Sequence, residues 1–262
     1  MSVPIDVSSY DYLRQMSFST LAWEFLRRNL NYQRDWRLHR TVAPRFLTSG
    51  EGVTFRILHR RFRCAEAWGL RVFENPAADG RYAHPFWLPE IQARSIDATT
   101  TREVVADLTL LALPRIVGAQ GALIDVDRTL HVAIDSGSSA FGLSIRKLVR
   151  PVGTFCLIFE IPAFSRLTKR FEAIAELERR VKNCDLRRPS DMMARSRLCE
   201  CLSAVDGRRQ GLSYRQIAEA VFGKRTVLED WDGRSRFLKD RTRRLVEKGE
   251  LLVAGGYRDL LR

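Results

Sequence analysis

Apolar and polar positions divide the chain into three patterns. Near the start, Leu21, Ala22, Phe25 and Leu26 recur at helical spacing behind Ser17 and Ser19, with Trp23 to one side. That spacing predicts an N-terminal docking helix, and Arg27 and Arg28 at its end suit the negative pole of its dipole. Residues 29–36 read as a polar and aromatic tail. Farther on, Arg56, His59, Arg60, Arg61 and Arg63 stand among Val53, Phe55, Ile57, Leu58 and Phe62. Such a run is more often a solvated face around a buried stripe than a phosphate contact. Residues 68–76 read as a short strand closed by Pro76, and residues 85–90 as an extended segment between prolines.

From 104 to 161 the period drops to two and β-branched residues become frequent. Leu108–Leu113, Ala122–Val126, Leu130–Ile134, Phe141–Ile145 and Thr154–Ile161 are strand candidates, with turns at Asp127-Arg128 and over residues 136–139. A small antiparallel sheet is the simplest construction. Residues 167–182 then read as an amphipathic helix with Phe171, Ile174, Ala175 and Val181 inward. Charge, Pro189 and a capping Ser190-Asp191 mark a boundary over 185–191. The expected organisation is an N-terminal helical segment over 1–48, a mixed body over 49–184 and a C-terminal unit over 190–262.

The C-terminal unit carries the densest signal. A helix over about 191–207 places Ala194, Leu198, Cys201, Leu202 and Val205 on one stripe. A second begins at Ser213-Tyr-Arg-Gln216, the pattern of a capping box, turns Ile217 and Val221 inward and stops at Gly223. Its free N–H groups, with Ser213, Tyr214 and Arg215, suit a phosphate. Residues 224–233 then read as a loop bearing Lys224, Arg225 and Trp231. Helix-turn-helix turns usually take about 3–4 residues, so a variant or winged form is expected. A third helix over 234–248 holds seven basic residues against two acidic ones. Leu238, Thr242, Leu245 and Val246 share one side, with Phe237 at its margin, and Arg236, Lys239, Asp240, Arg243 and Arg244 share the other. Arginine forks on such a face match guanine edges in a major groove, and flanking cations neutralise phosphates. Arg234 and Ser235 open this helix, while Gly249 to Tyr257 suggests a strand and turn acting as a wing, with Tyr257 and Arg258 against the DNA backbone. The competing reading is an ordinary surface helix in which Asp240 pairs with Arg236 and Arg244.

Bulk properties fit this picture without deciding it. The 262 residues carry a net charge of +13, are 45% hydrophobic and have a pI near 10.1, which suits a folded protein with a polyanionic partner. Five cysteines, at 64, 156, 184, 199 and 201, form no Cys-x-x-Cys pair, and the four histidines are scattered. Reduced, mostly buried thiols, no metal and no cofactor are therefore expected. The start of the chain lacks a signal-peptide pattern, and no run approaches the roughly 18 apolar residues of a membrane span. A soluble cytoplasmic, nucleoid-associated protein with no membrane partner is the expectation.

Ser213-Tyr-Arg-Gln-Ile-Ala-Glu-Ala-Val-Phe-Gly223, Trp231, Ser235 to Leu245, and Gly255-Gly-Tyr-Arg-Asp-Leu-Leu261 together resemble the RovC-like DNA-binding domain, with Phe86 to Glu90 similar to its front part. Tyr10-Asp-Tyr-Leu13, Ala22 to Asn29 and Tyr32 resemble the transcriptional-regulator-like segment that precedes it in proteobacterial members, although Leu30 stands where many members carry proline. The resemblance implies a bacterial transcription regulator, usually an activator, of secretion-system genes or of transfer genes on mobile elements. Double-stranded promoter DNA and a homo-oligomeric partner are implied, with RNA polymerase or a regulatory protein as further candidates. The fold class expected overall is α+β, with a helical N-terminus, a mainly antiparallel sheet body and a C-terminal helix-turn-helix-like unit.

Two rivals remain open in the sequence. A metal-dependent DNA-processing enzyme would draw on Asp125, Asp127, Asp135 and Glu160, yet no Glu-x-Lys or histidine partner completes a site. An antiactivator or interaction module of the same fold would not need the basic helix.

Overall fold

A computed structural model describes residues 7–40, 44–50, 52–101, 111–112, 121–135, 137, 139–147, 154–162, 166–182, 192–231 and 236–262. A 3-10 segment, Val7–Gln15, leads into helix α1, Phe18–Leu26. Ser17 caps α1 as the sequence predicts, its Oγ accepting from the Thr20 amide at 3.1 Å. Trp23, expected to one side, is fully buried with the rest of the apolar stripe.

The expected aromatic tail is instead a second helix, α2, Leu30–His39. Asn29 caps it by accepting from the amides of Asn31 and Tyr32, and Leu30 occupies the first helical position, where proline is favoured because no intrahelical N–H bond is needed. Tyr32 anchors the helix: its buried hydroxyl donates to the Glu74 carbonyl at 2.7 Å, and its ring meets Trp23 and Trp68 edge-on.

Among the described residues the strands lie in the order β1-β2-β5-β6-β7-β3-β8-β4. They are β1 Arg45–Thr48, β2 Thr54–Ile57, β3 Ser95–Thr101, β4 Leu111–Ala112, β5 Ala122–Ile124, β6 Leu130–Asp135, β7 Ala140–Arg146 and β8 Thr154–Glu160. The sheet is mainly antiparallel, as expected, with parallel pairing of β2 to β5 and of β3 to β7. Most of the predicted strand over 108–113 lies outside the described residues. Three strands fall outside the predicted set. β1 and β2 belong to the basic stretch, where Phe55 is buried while Arg56 turns aside to pair with Glu74 at 2.7 Å. β3 hides behind a Ser-Ile-Asp-Ala-Thr-Thr-Thr sequence whose apolar signal is only Ile96 and Ala98, both buried. The strand expected over 68–76 reduces to one antiparallel bridge between Leu70 and Trp87. A four-residue helix, α3 (Arg63–Glu66), precedes it.

Helix α4, Leu167–Val181, covers one face of the sheet through buried Ala173 and Leu177, with Ile174 and Val181 beside them. Phe171 departs from its predicted inward place and is 57% exposed. It lies two residues from Ala173, about 200° away around the helix.

The C-terminal helices are α5 Met192–Arg209, α6 Tyr214–Phe222, α7 Lys224–Asp230 and α8 Phe237–Ala254, followed by a 3-10 segment, Gly256–Leu261. The apolar faces of α5, α6, α8 and the final 3-10 segment share the larger core with α1, α2 and the 58–87 stretch. The last elements are thus tied to earlier parts of the chain: the Asn29 side-chain amide donates to the Val253 carbonyl at 2.8 Å, and the Ala93 backbone amide donates to the Leu261 carbonyl at 2.8 Å.

α5 crosses α8 at Gly249. A Cβ there would stand 2.4 Å from Val205 Cγ2 and 2.7 Å from the Cys201 carbonyl oxygen, so the backbones themselves meet. Gly249→Ala is therefore expected to destabilise the fold by about 1–3 kcal/mol through overpacking, read as a lowered midpoint in urea unfolding. An unchanged midpoint would mean that the crossing is looser than described.

Candidate nucleic-acid interface

The first reader helix, α5, buries Leu198, Cys201, Leu202 and Val205 as the stripe predicts. Ala194 does not follow them and is exposed, while Arg195 beside it is buried with its guanidinium 5.4 Å from the Phe18 ring centre. Burial pushes the thiols of Cys199 and Cys201 up to about 11, which keeps both in the unreactive thiol form at neutral pH.

The second helix, α6, opens on the predicted capping box. Ser213 Oγ accepts from the Gln216 amide at 3.3 Å, and Gln216 Oε1 accepts from the Ser213 amide at 2.9 Å. Tyr214 is exposed, with the Arg208 guanidinium 4.9 Å from its ring centre, and Arg215 pairs with Glu219 at 3.4 Å. Gly223 takes a φ of +90° between α6 and the next helix, a conformation that glycine adopts without strain.

Residues 224–230 depart from the predicted loop by forming α7. Its organising residue is Val227, fully buried in a small cluster with Ala218 of α6 and Leu238 of α8, flanked by Phe222 and Trp231. A single buried valine among polar residues gives too weak a period to read from sequence. Lys224 and Arg225 are exposed on α7, and Arg225 pairs with Glu229 at 3.0 Å. Arg234 and Ser235 lie outside the described residues.

α8 separates its two sides as predicted. Leu238, Thr242, Leu245 and Val246 are buried, while Arg236, Arg243 and Arg244 are exposed. Thr242 is reconciled with the core by donating to the Leu238 carbonyl at 2.7 Å. Lys239 is half-buried with its ammonium 5.5 Å from the Trp231 ring centre. Arg243 pairs with Glu247 at 3.5 Å across two exposed side chains, an arrangement worth little in water and readily exchanged for a phosphate or base. Among the described residues no ion pair joins Asp240 to Arg236 or Arg244; the pairs on α8 are instead Arg243–Glu247 and Arg241–Glu200.

The expected wing does not form. α8 continues through Gly249 to Ala254 because Leu252 and Val253 extend its buried stripe. Tyr257 is 0% exposed, its hydroxyl donates to the Trp68 carbonyl at 2.8 Å, and it therefore belongs to the core and cannot touch DNA. Arg258 donates to the Ala67 carbonyl at 2.7 Å and lies over the Tyr257 ring, so it is engaged in the same junction.

The feature that sequence reasoning missed is the clamp holding α5 to α1. Arg28 reaches Asp206 of α5 with Nε at 2.9 Å from both carboxylate oxygens, and with Nη2 at 2.8 Å from Oδ2. Its Nη1 reaches Glu24 at 2.5 Å, and Arg27 reaches the same carboxylate at 2.7 Å. Tyr10 donates to Asp206 at 2.6 Å, while Tyr12 and the Gly80 amide donate to Glu24 at 2.8 and 2.7 Å. Arg27 and Arg28, read as dipole complements, are thus the centre of a buried charge network. Glu24, four residues before Arg28 on a wholly apolar stripe, was the available signal.

The carboxylates considered for metal chemistry are dispersed. Asp125 pairs with His131 at 3.5 Å and Arg71 at 3.2 Å, and the His131 contact holds its carboxyl down to about 2. Asp127 caps its own turn by accepting from the Thr129 amide, Asp135 accepts from Ser17 and Thr20, and Glu160 pairs with Arg146. Among the described residues no cluster of three or more His, Cys, Asp or Glu side chains could hold a metal ion, and no helix is long and apolar enough to cross a membrane.

Comparison with known families gives the class: the chain is a DNA-binding transcriptional regulator. Residues 160–262 match the RovC-type family described as a T6SS transcription factor DNA-binding domain, and residues 6–72 match the proteobacterial transcriptional regulator-like domain. No curated protein matches the chain. The first match takes in α4 to α8 and the second takes in α1 to α3, so the Arg28–Asp206 clamp ties one matched segment to the other.

Burial works to raise the Glu24 carboxyl, but the Arg28 and Arg27 guanidiniums outweigh it and hold the group below its ordinary value of 4.5. A depressed carboxylate contributes stability above the unfolded-state value and loses it as pH falls. The wild-type chain is therefore expected to exceed Glu24→Gln in stability most at neutral pH, with the difference shrinking below about 4.5. Urea unfolding at several pH values checks this, and a difference that stays constant down to strongly acid pH would contradict the clamp.

Proposed function

We propose that the chain is a sequence-specific regulator that sets the first half of α8 into the major groove of promoter DNA. The observation that carries this reading is the two-sided character of α8: a fully buried stripe fixes its rotation, and Arg236, Arg243 and Arg244 project from the opposite side. Arginine forks held this way suit bidentate pairing with guanine, and Lys239 beside them suits phosphate. Arg234 and Ser235, which precede α8 in the sequence and lie outside the described residues, are further proposed DNA contacts. Ser213, Tyr214 and Arg215 at the start of α6, with Lys224 and Arg225 on α7, supply backbone contacts that set the register. The helix-turn-helix is a variant one, since α7 fills the space of a tight turn.

The family description names type VI secretion, and this supports the regulation of secretion-system genes. Activation, as opposed to repression, is the mode we assign, with transfer genes of mobile elements as the other target class. Binding as a homo-oligomer at the nucleoid, in contact with RNA polymerase or a regulatory protein, completes the proposal.

Arg243→Ala and Arg244→Ala are each expected to weaken binding to the selected site by about 1–3 kcal/mol, with a much smaller effect on random DNA. Gel-shift titrations against both duplexes at one fixed salt concentration measure this. Unchanged affinity in both variants would put base reading elsewhere on the molecule.

A further inference from the structure

α8 carries a second basic stripe that faces away from the first. At about 100° per residue, Arg236, Lys239 and Arg243 fall within about 60° of one another, and so do Phe237, Arg241 and Arg244, with roughly 140° between the two centres. The second stripe borders an open groove of about 450 Å3 between α8 and the first half of α5. Its floor is Leu245, and its walls carry Met193, Arg197, Phe237, Arg241 and Arg244. Met193 is 89% exposed and Phe237 67% exposed, an unusual outlay of large apolar surface beside three arginines. Among the described residues lining the groove the one carboxylate is Glu200, which Arg241 approaches at 3.7 Å.

Methionine, an aromatic ring and arginine are the residue types enriched at protein interfaces, and lysine and glutamate are depleted there. A phosphodiester backbone gains nothing from methionine or leucine, whereas an apolar side chain of a partner does. The flexible thioether adapts to such a guest. Three arginines against one carboxylate, itself paired, leave a surplus of positive charge around the apolar floor. The complementary guest carries carboxylates around one or two apolar anchors.

We propose that the groove between α5 and α8 docks an acidic amphipathic helix of a protein partner, leaving the Arg236–Arg243 side of α8 free for DNA. One apolar side chain of the guest enters between Met193 and Phe237 onto Leu245, and its carboxylates meet Arg197 and Arg241. The groove opens on the opposite flank of the helix from the first basic stripe; Arg244 on its wall is shared with the proposed DNA-reading set, so guest and DNA meet at that residue while Arg236 and Arg243 stay free for DNA.

The test titrates the full chain by fluorescence anisotropy with a labelled peptide of about four helical turns, bearing Leu and Phe at helical spacing and Asp and Glu elsewhere. A scrambled peptide of the same composition and a short random duplex are titrated alongside. The ordered peptide is expected to bind at least about tenfold more tightly than the scrambled one. Met193→Ala combined with Phe237→Ala is expected to weaken the ordered peptide about tenfold or more while leaving duplex affinity within about twofold. Both side chains are mostly exposed, and thermal unfolding checks that the variant keeps its fold. Equal binding of the scrambled peptide, or no loss in the double variant, overturns the proposal. A loss of duplex binding as large as the loss of peptide binding overturns it in favour of a DNA surface.

Discussion

The reader depends on a charge that is buried. Arg28, in the turn after α1, stands between Glu24 of α1 and Asp206 of α5, and Tyr10, Tyr12 and the Gly80 amide satisfy the remaining carboxylate oxygens. Breaking such a pair by removing one partner typically costs about 3–5 kcal/mol, because the other charge stays buried without compensation. A fully hydrogen-bonded network of this kind therefore permits few alternative arrangements of α1 against α5. Rigid placement suits the proposed role, in which several arginines meet a fixed pattern of base edges. The clamp joins the regulator-like segment to the DNA-binding segment.

From α5 the constraint passes to α8 through small residues. Gly249 lets the two backbones touch, and Thr242 hides its hydroxyl inside the helix, so that α8 seats its apolar stripe along α5. α7 wedges Val227 against Leu238 near the beginning of α8. The rotation of α8 is thereby determined at both ends, and the direction of Arg236, Arg243 and Arg244 follows from it. Tyr257 and the final 3-10 segment close the core behind the helix instead of reaching toward DNA.

Period and capping made much of this legible in the sequence. The Ser213–Gln216 box, the α8 stripe and the strands β5 to β8 are strong local patterns that the tertiary structure simply uses. What stayed hidden was set by partners far along the chain. Asn29-Leu30-Asn31 looked like a tail because the reason for α2, the burial of Tyr32 beneath Glu74 and Trp68, lies about forty residues away. β3 is polar in sequence because only one of its faces meets the core. Gly249 read as a helix stop, whereas its role is to admit a neighbouring backbone. Asp206 gave no sign that an arginine 178 residues earlier was its counterion.

The central claim is that the outer side of α8 touches DNA. Arginine modification by phenylglyoxal, mapped by mass spectrometry on the full chain with and without a fragment it selects from genomic DNA, tests it directly. Slower modification of Arg236, Arg243 and Arg244 in the complex, with no change at Arg146 of the sheet, is the predicted result. Equal modification of those three with and without DNA, together with protection elsewhere, would contradict the account.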